Sequence, residues 1–166
     1  MTTYKSDAVN SGIMPDHARA GVVLNRTASY SPTTDVITSG DTIQMVPIPN
    51  NAKLLRVEMY HTAMQADITN IDVGWGGDVN GIFSDINPTA ERFHTYPTGQ
   101  PALGATCTLT YYANTAGFLH MFTADDTIDI YFYTANTSME TNENFQMSVW
   151  YKMCGTVADE TGQELA

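Results

Sequence analysis

Basic residues are scarce in this chain. Seven Lys and Arg stand against eighteen Asp and Glu, for a formal net charge of −11. Nucleic-acid binding rests on Lys and Arg neutralising phosphates. Here Lys5, Arg19, Arg26, Lys53, Arg56, Arg92 and Lys152 are scattered, and an acidic chain is repelled by a polyanion. No nucleic-acid partner is expected, and the charge reads as a device for solubility. Cysteine is nearly absent: Cys107 and Cys154 are too few for a disulfide scaffold and too far apart in sequence for a zinc knuckle. No apolar run approaches the ~18 residues of a membrane helix, so no membrane partner is expected. Met1 to Asp7 lacks the basic stretch and apolar segment of a signal peptide, which points to synthesis in a cytoplasm with both thiols reduced.

Catalytic machinery is also missing. His17, His61, His94 and His120 are widely separated, and no strand-turn-helix elbow is present to hold a nucleophile. Asp125-Asp126 sits in a turn, where solvated acids are ordinary. The segment Asp72 to Gly81, with Asp85 beyond it, clusters oxygen donors among glycines, but its spacing departs from the EF-hand pattern. The expectation is a non-enzymatic protein with no catalytic residues, no cofactor and no metal. His61 falls on an apolar strand face and is expected to be a hydrogen-bonded core residue.

What the chain does have is alternation. In Phe145 to Met153, the residues Phe145, Met147, Val149, Tyr151 and Met153 point one way, while Gln146, Ser148, Trp150 and Lys152 point the other. A two-residue period over nine positions marks a half-buried strand. Lys53 to Ala63 repeats it, with Leu55, Val57, Met59, His61 and Ala63 inward and Arg56, Glu58, Tyr60 and Thr62 outward. Thr42 to Pro47 follows the turn Ser39-Gly40-Asp41, and Pro47 limits that strand or puts it at an edge. Ile68 to Trp75 and Thr127 to Thr134 alternate as well. So do Cys107, Leu109 and Tyr111, and Phe118 to Phe122 reads as a further strand. From Val79 to Leu103 the pattern weakens, and a long excursion loop is expected.

These segments predict an all-β fold, an antiparallel two-sheet β-sandwich of jelly-roll type with an extended N-terminal arm. The divisions are an arm at 1–38, a sandwich body at 39–154 and a flexible tail at 155–166. Ile13, Met14, Val22, Val23 and Leu24 are the apolar points of the arm and the candidate contacts with a partner or a neighbouring copy. Tyr131, Tyr133 and Trp150 point outward and would form one aromatic contact patch if their strands are neighbours.

Several segments resemble small virion proteins of tailed bacteriophages. Gly40-Asp41-Thr42-Ile43 leading through Ile48-Pro49 and Ala52 into a long strand is similar to a stretch of theirs. Ile71-Asp72-Val73-Gly74, Asp125-Asp126-Thr127-Ile128-Asp129-Ile130 and the closing Val149-Trp150-Tyr151 resemble theirs too. The resemblance spans residues 40–154 and implies a head decoration, or cement, protein. Such a protein would sit on the outer surface of the virion capsid, bind the major capsid protein and form a homo-oligomer, with a trimer favoured. The alternative is a head-fibre, tail or adhesin module that binds a host-surface glycan through Tyr131, Tyr133 and Trp150.

Overall fold

The computed structural model describes residues 1–12, 22–32, 36–90, 92–96, 119–139 and 142–154. The expected contacts Ile13 and Met14, the strand at Cys107 to Tyr111, Phe118 and the 155–166 tail lie outside them, and the described remainder of the strand expected at Phe118 to Phe122 makes only an isolated bridge, Met121 with Lys53. Among the described residues, eleven strands and one short helix occur in order: β1 (Thr3–Lys5), α1 (Asp7–Asn10), β2 (Val23–Tyr30), β3 (Val36–Thr38), β4 (Thr42–Ile48), β5 (Ala52–His61), β6 (Asn70–Trp75), β7 (Asp78–Ile86), β8 (Arg92–Tyr96), β9 (Asp126–Thr134), β10 (Asn136–Ser138) and β11 (Phe145–Met153). They form a five-stranded sheet in the order β1-β4-β9-β6-β7 and a four-stranded sheet in the order β2-β11-β5-β8, with β10 and β3 as a separate pair. Every pairing is antiparallel except β1 with β4. The chain is an all-β two-sheet sandwich.

The two inner faces meet in one apolar core. Ile43, Ile128, Ile130, Phe132, Ile71 and Val73 come from the larger sheet, and Val57, Met59, Phe145, Met147, Val149 and Tyr151 from the smaller. Phe132 meets Phe145 edge-on at 6.1 Å, and Phe83 meets Tyr96 at 6.1 Å and 89°, so aromatic rings join the layers. Edge-to-face pairs of this kind add about 1 kcal/mol beyond their buried area.

Bulges shift the alternation in two strands. Leu54 is fully buried and Leu55 only half-buried, the reverse of the expectation for Leu55. Trp150 pairs with Arg56 and Tyr151 with Leu54, so Leu55 is the extra residue of a bulge that resets the phase. In β4 the register skips Met45, and Met45 and Val46 are both buried. Pro47 lies past the stretch of β4 that pairs with β1, where one side carries no ladder partner among the described residues, so its missing N–H costs nothing.

Residues set aside as an arm supply an edge strand to each sheet over their described part. β1 adds to β4, and β2 pairs with β11 along its whole length. The turn Thr38–Asp41 explains how. Gly40 adopts φ +89°, a conformation that disfavours any side chain, and the Asp41 N–H closes the turn on the Thr38 carbonyl at 3.0 Å. The buried Asp41 carboxylate then accepts from the Thr2 N–H, the Thr38 N–H at 2.9 Å and the Thr38 hydroxyl at 2.8 Å. Burial opposes its charge, but these bonds and the nearby N-terminal ammonium outweigh it and hold the carboxyl below its ordinary value. The Gly-Asp step is thus the staple that fixes β1. α1 bridges the two edges: Ser6 caps it through the Val9 N–H at 3.3 Å, and Asp7 accepts from the Ser29 N–H of β2 at 2.8 Å.

Candidate contact surfaces and an acidic cleft

The expected aromatic patch is two separate sites. β9 belongs to the five-stranded sheet and β11 to the four-stranded sheet, so Tyr131 and Tyr133 lie on one outer face and Trp150 on the other. Tyr131 and Tyr133 stand two residues apart with ring centroids 6.2 Å apart, and Tyr133 is exposed. Trp150 is half-buried beneath the Arg56 guanidinium, 5.3 Å from the ring centroid. Arg56 in turn pairs with Glu58.

Of the apolar arm residues, Val22 and Val23 are exposed, at 49% and 57%. Val23 opens β2 and Val22 immediately precedes it; the outer side of β2 carries no ladder partner among the described residues. Leu24 turns inward and packs against the core, because alternation along β2 puts it on the opposite side from Val23.

The two outer faces differ in charge. Lys53, Arg56 and Lys152 project from the four-stranded sheet, with Lys152 opposite Lys53 and Glu58 the acid among them. The five-stranded sheet carries Asp72 and Asp129 on its outer side, with Asp85 turning on φ +55° to give its N–H to Asp72 at 2.7 Å. Asp129 is 8% exposed, and its Oδ1 has no hydrogen-bond partner. Burial pushes its pKa up to about 7, against a Thr127 hydrogen bond that favours the charge, and Asp126 adds to the rise. Asp72 is raised for the same first reason, burial, with the Asp85 charge contributing. The segment considered for calcium is therefore the β6–β7 hairpin, and no group of three His, Cys, Asp or Glu able to hold a metal occurs among the described residues.

A histidine pair lies in the core. His61 is fully buried, as expected, and its partner His94 is a residue that sequence reading leaves unassigned. Their Nε2 atoms are 3.1 Å apart and the rings stack at 5.2 Å. His61 Nδ1 lies 2.9 Å from the Thr62 carbonyl, which only accepts, so Nδ1 carries the hydrogen. His61 Nε2 is then the acceptor, and His94 donates to it. Burial, with the nearby His61 and Arg92 charges, lowers the His94 pKa to about 3. His94 is therefore neutral at pH 7, and the pair packs as part of the core. The signal for it was present in β8, where a polar run joins an apolar strand face, but β8 itself was hidden by its lack of alternation.

A cleft of ≈ 540 Å³ opens where the β6–β7 hairpin meets residues 119–126. Trp75 forms its floor and stacks on His120 at 4.1 Å, with Phe122 edge-on to His120 at 4.8 Å. Gly81 makes room for the indole: a Cβ there would lie 2.3 Å from the ring. Asp78 and Asp126 stand at the rim, and Met121 is exposed beside them.

No family model matches this sequence, and no curated protein does. Solved structures do. A chain of the capsid of Ralstonia phage GP4 superposes with a TM-score of 0.68 at 14% identity, over 93% of this chain and 99% of that one. A chain of the cyanophage Pam1 capsid asymmetric unit superposes with a TM-score of 0.54 at 20% identity, over 85% of this chain and 91% of that one. At such identities the likeness is one of fold: this chain shares its β-sandwich, nearly end to end, with chains of two phage capsids.

Proposed function

We propose that this chain is a non-enzymatic structural protein of a phage virion, a head decoration protein that binds the outer surface of the major capsid protein lattice and stabilises the shell. The observation that carries the reading is the fold shared with the Ralstonia phage GP4 capsid chain over almost the whole of both chains. A match of that extent is to a capsid component of similar length, with the whole sandwich as the shared unit. The charge of −11 supports a site away from packaged DNA.

The mechanism is mechanical. A protein that binds the assembled lattice better than its separated subunits stabilises the lattice by linkage, and copies held together by a homo-oligomer, a trimer in this reading, add avidity. The contact begins at the open edge of β2. Exposed Val22 and Val23 lie there on a side with no ladder partner among the described residues, an edge that another chain's strand can extend. The glycan-binding alternative loses its single platform, since Trp150 is on the opposite side of the sandwich from Tyr131 and Tyr133.

Immunogold labelling of purified particles tests the placement. The expected result is dense label over the whole head. Label confined to a tail tip or one vertex would replace decoration with adhesion.

A further inference from the structure

We propose that the cleft between the β6–β7 hairpin and residues 119–126 is a receptor for a single arginine side chain presented by a partner polypeptide, with Asp78 and Asp126 taking the guanidinium and Met121 covering its methylenes.

The charge of the cleft is unbalanced. No ion pair joins Asp78 or Asp126 to a described Lys or Arg. Both carboxylates lie close enough to His120 to pull its pKa upward, yet burial outweighs them and leaves it below its ordinary value. The ring is therefore neutral at pH 7, and among the described residues no Lys or Arg lines the cleft beside the two carboxylates. The hairpin glycines keep the carboxylates near the indole. A Cβ on Gly76 would sit 3.4 Å from Asp126 Oδ1, and one on Gly81 would sit 3.2 Å from Asp78 Cγ. Charge complementarity thus selects a cationic occupant.

Other occupants fit less well. A divalent metal wants at least three protein ligands or a comparable donor set, and no such group forms here among the described residues. A sugar wants an open aromatic face, but Trp75 is 6% exposed and its ring is stacked by His120. Arginine brings a planar, always charged head for two acceptors and an apolar stem for a wall such as Met121, which is 45% exposed. That the arginine belongs to a shell subunit rests on the decoration reading. The cleft chemistry itself does not.

The test uses the full chain in solution and N-acetyl-arginine amide as probe, followed through the Trp75 indole N–H resonance. The expected result is a saturable shift in roughly the millimolar range, absent with the neutral isostere N-acetyl-citrulline amide. Asp126→Asn and Asp78→Asn should each weaken binding about tenfold. Asp126→Asn keeps an acceptor for the Thr127 N–H, now bonded to Asp126 at 2.8 Å, so its fold is retained. A flat titration of the folded protein, an equal shift with citrulline amide, or undiminished binding by both variants would overturn the proposal. No shell is present in the experiment, so a negative result leaves decoration standing, and a failure of decoration leaves a positive result standing.

Discussion

Replacing Asp129 by Asn should stabilise the protein at neutral pH. Asp129 sits on β9 between Gln44 and Gly74, with an unpartnered Oδ1 and a residue exposure of 8%. Its pKa rises from 3.8 to about 7, chiefly through burial. A carboxyl whose folded value is raised favours folding below its unfolded value and loses that contribution as pH rises through the folded one. At 1.36 kcal/mol per pH unit, the displacement corresponds to about 4 kcal/mol above pH 7. Asn keeps the shape and the acceptor without the charge, so Asp129→Asn should recover about 4 kcal/mol near pH 7.5 and almost nothing near pH 3.5. Urea unfolding across that range reads both values. A gain below about 1 kcal/mol near pH 7.5, or one independent of pH, would refute the reasoning. His94 works in the opposite sense. Its folded value of about 3 lies below 6.5, so its contribution is whole above pH 6.5 and is lost as pH falls towards 3. That limb amounts to about 5 kcal/mol. The two cancel over much of the range from about pH 4 to 7, and Asp129→Asn should uncover a stability that climbs steeply with pH.

Three further outcomes are expected. Gly81→Ala should destabilise by about 1–3 kcal/mol in denaturant unfolding, because the new methyl would meet the Trp75 ring at 2.3 Å. Asp41→Asn should lose about 1–3 kcal/mol and strip hydrogen-exchange protection from β1 while β11 stays protected, since Asn brings an N–H₂ to a site where Thr2 and Thr38 already donate. The double variant Val22→Asp, Val23→Asp should leave the unfolding midpoint within about 0.5 kcal/mol of wild type and abolish co-sedimentation with phage heads, because both side chains are exposed in the free protein. Normal decoration by that variant would move the contact away from the β2 edge.

The strands that sequence reading found are those with an unbroken period. β11 has the expected bounds, Phe145–Met153, because it lies in the middle of its sheet with one apolar face throughout. β9 was legible for the same reason. β7 and β8 fell inside an expected loop. The β6–β7 ladder shifts register at two places, and Ile82 and Phe83 are buried side by side, which erases the period. In β8, His94, Thr95 and Tyr96 are all buried, so polar side chains occupy positions where alternation demands contrast. β1 and β3 are three residues each and owe their place to long-range pairing, which local pattern does not encode. For the contact surfaces, outward direction was legible for Tyr131, Tyr133 and Trp150, but sheet membership was not, and that alone decided whether they met. The cleft depends on Trp75 and His120, 45 positions apart in sequence, being stacked by the fold.

The most direct test of the decoration reading is to mix purified protein with heads stripped of it and reconstruct the particles by cryo-electron microscopy. The account predicts a β-sandwich at every equivalent outer site of the lattice, with the β2 edge against the major capsid protein. Protein left in the supernatant, or density at a single vertex, would contradict it.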